Sequence, residues 1–231
     1  MLKRERPWSL DVRDFQKFMG RLRDKYNYKG LDGVNGIRFY HCGEYGDRYS
    51  RPHYHACLFN FNFPDLLLWK EVNGFRLYTS EILSRLWPYG YSSVGSVTFE
   101  SAAYVARYIM KKITGKSADE FYQFIDFDTG EWYRRKPEYT TMSRRPGIGS
   151  GWFDKWAMID TYPNDYVVMR NRKMRPPKYY DSKLSEDLLE AIKNNRIENA
   201  LEFSEDQTYW RLRDREKCLT AKLSLFSRNV E

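Results

Sequence analysis

The stretch IRFYHCGEYGDRYSRPHYHACLFNF, residues 37–61, decides how the chain is built. Its ends, 37–44 and 53–61, are apolar and aromatic and flank the turn formers Gly46 and Asp47, so they read as two strands of a β-hairpin. Alternate side chains of a strand point to opposite faces, which puts His53 and His55 on one face and Tyr54 on the other. Glu44, near the end of the partner strand, is a short turn away and within reach of the histidine face. Two imidazoles and one carboxylate with open positions suit a catalytic divalent ion such as Mn²⁺, Mg²⁺ or Zn²⁺. An isolated H-x-H is also what an ordinary half-buried strand displays, and Glu44 narrows that ambiguity without closing it.

Outward from the hairpin, Leu10, Phe15, Phe18, Met19 and Leu22 recur at helical spacing, and predict an amphipathic helix over about 10–26 with Ser9 as its cap. Downstream, the residues predict a helix at 79–87, a strand at 91–98 and a helix at 102–114 set between Ser101 and Gly115. On that last helix Tyr104, Tyr108 and Lys111 fall within a sector of about 60°, beside an apolar stripe of Ala102, Val105, Ile109 and Ile113. A phenol attacks at neutral pH only a target polarised by a metal or cation, and Lys111 offers phosphate charge a counterion. Tyrosines at the edge of an amphipathic helix carry no such role by themselves.

Segments 121–127 and 131–141 predict a second hairpin around Asp128-Thr129-Gly130, interrupted by Pro137. A Gly-rich basic loop, 143–152, follows with Arg144 and Arg145. Then come a short helix at 152–160, a strand at 166–170, a basic stretch from Arg172 to Lys178 and a mostly helical tail over about 182–226. The mixture reads as α+β around an antiparallel sheet with flanking helices. The expected organisation is a main domain over 1–180 and a helical extension over 181–231.

The chain has 231 residues and a net charge of +8, with 39 Lys+Arg against 31 Asp+Glu. Residues 1–180 hold 30 basic and 20 acidic residues and the rest hold 9 and 11, so the main domain carries any polyanion contact. Aromatic residues, 17% of the chain, add surfaces on which bases stack. No apolar run approaches the roughly 18 residues of a membrane helix, and a protein of the cell interior is expected. Cys42, Cys57 and Cys218 show neither a disulfide framework nor thiolate zinc spacing.

Together these residues resemble a family, the HUH-type rolling-circle replication initiators, and within it the initiators of small single-stranded DNA phages of the Microviridae, gokushovirus type. The resemblance rests on His53-Tyr54-His55 after Arg51-Pro52, on Gly43-Glu44-Tyr45-Gly46, on Tyr104, Tyr108 and Lys111, and on residues 142–149 (MSRRPGIG), and covers roughly residues 8–180. It implies a ferredoxin-like or RRM-like core and an endonuclease that nicks and rejoins single-stranded DNA at an origin. His53, His55 and Glu44 would hold Mg²⁺ or Mn²⁺. Tyr104 and Tyr108 would act as alternating nucleophiles through a 5′-phosphotyrosine, assisted by Lys111. Arg51, Arg107, Lys112, Arg144 and Arg145 would bind DNA, with host replication proteins as further partners, in the cytoplasm of an infected cell. The family normally has a strand before the first helix. None is visible here, which predicts a sheet lacking one strand or a substitute from the C-terminal region.

Two other readings compete. One is a shortened initiator that binds single-stranded or hairpin DNA without cutting it. The other is a structural metal protein, disfavoured because closed structural sites usually have four ligands and favour Cys.

Overall fold

The computed structural model describes residues 8–26, 36–47, 49–72, 74–107, 112–126 and 128–225. The chain divides into two compact units, Met1–Ser150 and Gly151–Glu231.

The first unit is organised by the predicted hairpin. Strand β1 (Arg38–Tyr45) pairs antiparallel with β2 (Pro52–Phe59), and the ladder sets Glu44 opposite His53 and Cys42 opposite His55. On the other side of β1 lies a strand formed by Tyr139–Met142, called β8 from its place in the chain, giving the order β2-β1-β8. The sheet therefore has three strands among the described residues, with β2 at one edge. All three come from the first unit, so the strand expected from the C-terminal region is not found there. β8 is held in its place by Ser143, which exchanges bonds with Phe39: the Phe39 N–H donates to Ser143 Oγ at 3.1 Å and the Ser143 N–H to the Phe39 carbonyl at 2.9 Å.

Helix α1 (Val12–Lys25) covers the face carrying Phe39, His41, Tyr54 and Leu58. Its cap is Asp11, whose carboxylate accepts the Arg13 N–H, not Ser9 as the sequence predicts. Ser9 instead accepts the Lys136 N–H at 3.1 Å, tying the segment before the helix to the one before β8. Phe15, Phe18, Met19 and Leu22 pack with Ile37, Phe63, Leu83 and Leu86 into the largest core cluster, and full burial of each such side chain contributes about 1.5–3 kcal/mol.

Between β2 and the second predicted helix the structure adds a hairpin that the sequence reading lacks, β3 (Leu67–Val72) and β4 (Phe75–Thr79), turning at Gly74 with φ +81°. Leu67, Leu68 and Trp69 are more than half exposed, so no face is buried and the alternation that betrays a strand is missing. Helix α2 (Glu81–Leu86), capped by Ser80, follows, and the strand expected over 91–98 shrinks to β5 (Val94–Gly95).

Helix α3 (Phe99–Arg107) lies on the opposite sheet face from α1, where Val105 packs with Cys42 and Cys57 alongside Tyr40, Phe59, Ala102 and Tyr104. Its start is fixed by reciprocal bonds, Thr98 N–H to Ser101 Oγ at 2.8 Å and Ser101 N–H to Thr98 Oγ at 3.2 Å, in the manner of a capping box. Helix α4 (Ser117–Phe121) leads into the hairpin of β6 (Gln123–Ile125) and β7 (Trp132–Arg134). Beyond β7, Pro137 stands where the chain leaves this hairpin for the main sheet, which is why 131–141 splits into β7 and β8.

In the second unit, α5 (Ser150–Trp156) runs into a π-helical turn over Ala157–Thr161. A hairpin of β9 (Val167–Met169) and β10 (Arg172–Met174) and the helices α6 (Lys178–Asp181), α7 (Glu186–Glu202) and α8 (Tyr209–Ser224) complete it. Its core is Ala157, Tyr162 and Ile192, and Arg196 clasps Asp165 at 2.6 Å and Asp181 at 2.8 Å. Among the described residues no helix is long and apolar enough to cross a membrane.

Candidate metal and tyrosine site

Opposite residues in an antiparallel pair share a face, so Glu44, His53, Cys42 and His55 all project from the α3 side of the sheet. Glu44 is buried, with 3% exposure, and its Oε1 lies 3.0 Å from His55 Nε2. His55 stands between that carboxylate and solvent, its side chain 30% exposed. An ionised carboxylate can only accept, so opposite one His55 would donate from Nε2–H, and a metal held at this nitrogen would take the place of that proton.

His53 occupies a different seat. Its ring is perpendicular to that of His55 with centroids 6.5 Å apart, and it lies over Gly46, where a Cβ would come within 2.5 Å of its Cε1. Among the described residues no three His, Cys, Asp or Glu side chains are grouped so as to hold an ion. The structure thus brings Glu44 and His55 together and leaves His53 beside them over the turn. The pair, already within hydrogen-bonding distance at 3.0 Å, would hold a divalent ion between its carboxylate and imidazole if one were bound. The carboxylate oxygen is a donor suited to Mg²⁺ or Mn²⁺, and the imidazole nitrogen one suited to softer divalent ions such as Zn²⁺.

Helix α3 adds the phenol. The Tyr104 ring meets His55 edge to face with centroids 6.1 Å apart, and the Arg107 guanidinium carbon lies 6.0 Å from the centre of the same ring. Tyr108 and Lys111 lie outside the described residues. The chain beyond them is pinned: the Ile113 N–H donates to Tyr122 Oη at 3.0 Å, and Tyr122 donates in turn to the buried Glu138 carboxylate. Burial and that bond to Glu138 push Tyr122 up to about 12, so it stays a neutral donor. Nothing in the sequence pairs Tyr122 with Glu138, since they belong to no common periodic pattern.

The α1 face is structural. Tyr54, between the two histidines, accepts the Asp11 N–H at 2.8 Å and donates to Asp14 at 3.4 Å. Tyr45 accepts the Leu10 N–H at 3.2 Å and donates to the Lys136 carbonyl at 2.7 Å. These two phenols fix the start of α1 to the strands that carry Glu44, His53 and His55. His41, the third histidine, is fully buried, stacked on Phe15 at 3.6 Å, with Nδ1 3.1 Å from Thr141 Oγ. Burial, and secondarily His55, lower it to about 3, so it is neutral and no part of the metal side.

Of the basic residues expected to bind DNA, Arg51, Lys112, Arg144 and Arg145 are exposed and Arg107 is half-buried beside Tyr104. Arg144 and Arg145 sit in a tight turn closed by a bridge from Arg144 to Gly147, directly after β8.

Comparison with known proteins gives this arrangement a context. Residues 2–113 match the family model of the replication-associated protein ORF2. Replication-associated protein VP4 of Bdellovibrio phage phiMH2K is 38% identical over 173 residues, 72% of this chain and 50% of that protein. Replication-associated protein ORF2 of Spiroplasma virus 4 is 31% identical over 192 residues, 78% of this chain and 54% of that protein. Replication-associated protein ORF4 of Chlamydia phage 1 is 33% identical over 114 residues, 44% of this chain and 25% of that protein. Through residues 2–113 the chain is thus similar to the replication-associated protein ORF2 family, and over most of its length it is similar to Microviridae-type phage replication-associated proteins. It spans about half the length of the first two of these relatives. No solved structure matches it.

Proposed function

We propose that the chain carries the nicking and joining centre of a phage replication initiator, acting on single-stranded DNA at an origin in the cytoplasm of the infected host. The observation that supports this most is the placement of Glu44, His55 and Tyr104 side by side on one sheet face. His55 and Glu44, joined by His53 when its ring leaves Gly46, would hold Mg²⁺ or Mn²⁺, which when bound supplies Lewis-acid polarisation of the scissile phosphate. Tyr104 Oη forms a bond to phosphorus as the bond to O3′ breaks, leaving the 5′ phosphate on the tyrosine. The proton lost by the phenol balances the one gained by O3′, so a free 3′-OH is left to prime synthesis by host replication proteins. Tyr108, one turn further along the helix predicted over 102–114, is the second nucleophile, and Lys111 offers charge to the phosphate. Arg51, Arg107, Lys112, Arg144 and Arg145 hold the strand by its phosphates.

A second reading has its own observation. The His53 ring is turned over Gly46 and is not joined to the neighbouring Glu44–His55 pair, which suits a module that binds DNA and does not cut it. A labelled single-stranded oligonucleotide carrying the origin separates the two. With Mn²⁺ the chain should cut it, and the double variant His53→Ala/His55→Ala should lose cutting while keeping most affinity. Full cutting by that variant rules out the metal assignment, and binding without any cutting by the unaltered chain favours the second reading.

A further inference from the structure

We infer that the turn end of the β1–β2 hairpin is a subsite for one unpaired nucleobase of single-stranded DNA, built by Arg51, Tyr49 and Trp8. The inference rests on the nuclease reading for its substrate and goes beyond it in naming what is recognised. The Arg51 guanidinium carbon lies 5.8 Å from the Trp8 ring centre and 5.6 Å from that of Tyr49. Arg51 is exposed, and no carboxylate of the described residues pairs with it. Its charge is therefore available to an anion, and Tyr49, 60% exposed, turns much of its ring to solvent.

The platform is braced from behind. Trp8 packs on Phe124 with centroids 6.0 Å apart, and Phe124 packs on the Arg135 guanidinium at 4.8 Å, which lies in turn 4.4 Å from the centre of Tyr45. Arg135 is 7% exposed and donates to the Ser50 carbonyl at 3.4 Å, inside the turn that presents Tyr49 and Arg51. A run of rings and guanidinium groups in contact thus leads from the buried Tyr45 out to an exposed tyrosine. The turn also has a fixed relation to the metal strand, because the Gly46 N–H donates to the Arg51 carbonyl at 2.9 Å, extending the ladder past Tyr45 and Pro52. Arg51 is two residues ahead of His53.

An exposed ring beside an uncompensated guanidinium matches one nucleotide, with the base stacked and its phosphate neutralised. In a duplex both faces of a base are already stacked and its edge is paired, so this subsite selects unpaired DNA.

The test measures the affinity of the full chain, without metal, for an origin oligonucleotide in which each position in turn is an abasic spacer. In the unaltered chain one abasic position should cost roughly 5- to 150-fold in affinity beyond its neighbours. That extra loss should vanish in Tyr49→Ala and in Trp8→Ala, and persist in Tyr49→Phe. Trp8→Ala is judged only if its melting temperature matches the parent, and Tyr49, on the surface, carries the test alone otherwise. A uniform cost at every position, or an unchanged extra loss in Tyr49→Ala, overturns the subsite. Cutting is assayed separately with Mn²⁺: cutting without a singular position leaves the nuclease reading standing and removes the subsite. A singular position without cutting does the reverse.

Discussion

Tyr54 separates the two histidines of β2 and has a different task from either. Because the strand alternates, its hydroxyl reaches Asp11 and Asp14 on the α1 side while His53 and His55 face α3. Tyr54→Phe should therefore lower stability by about 1–2 kcal/mol in denaturant unfolding, the cost of leaving the Asp11 N–H short of a partner, with metal affinity little changed. His41 makes a prediction about pH. Its folded value, about 3, lies below its unfolded one, so the unfolded chain binds the extra proton and stability falls as pH drops below about 6.5 toward 3. At pH 5.5 the loss is on the order of 1 kcal/mol. The neutral variant His41→Gln, compared with the parent at pH 7 and pH 5.5, should show a smaller drop. An equal drop in both would assign the acid sensitivity to other groups. The H-x-H pair and Glu44 were visible in the sequence because strand alternation fixes faces. The seat of His53 over Gly46 was not, since which rotamer a ring adopts depends on what the turn leaves open.

At the scale of elements, α1 and the β1–β2 hairpin were legible because each has one buried face and so a strong period. Helix α1 lost only its cap, Asp11 standing where Ser9 was expected, because a serine engaged by Lys136 is no longer free to cap. The β3–β4 hairpin was illegible for the opposite reason, having no buried face to impose a pattern. The same logic ranks the consequences of change. Leu22→Ala, fully buried against the sheet layer, should cost about 2–5 kcal/mol, whereas Leu68→Ala in the exposed hairpin should stay within about 0.5 kcal/mol. Thr98→Val removes half of the reciprocal cap on α3. It should cost about 1 kcal/mol and, by loosening the start of the helix that carries Tyr104, slow cutting more than it weakens DNA binding.

For the whole molecule, charge and chain division set the expectations. If the chain acts on single-stranded DNA as proposed, the excess of basic residues over 1–180 should make its affinity fall steeply with salt. Arg144→Ala and Arg145→Ala should each flatten the dependence of log affinity on log salt by about 0.7, the contribution of one phosphate contact. Composition foresaw a basic body and a helical tail. The compact units divide at Ser150 because the core of the second, with Phe153, Ala157, Tyr162 and Ile192, begins inside the basic region, and charge marks surfaces while apolar contacts mark compact units. The central claim is that a tyrosine of the helix facing Glu44 and His55 becomes joined to DNA. The most direct measurement incubates the chain with labelled single-stranded origin DNA and Mn²⁺, denatures it in SDS, and maps any labelled peptide. A label that survives SDS is expected on Tyr104 or Tyr108, absent with a chelator and absent from Tyr104→Phe/Tyr108→Phe. A chain that binds and cuts the DNA with no covalent label, or a label that persists in that double variant, would contradict it.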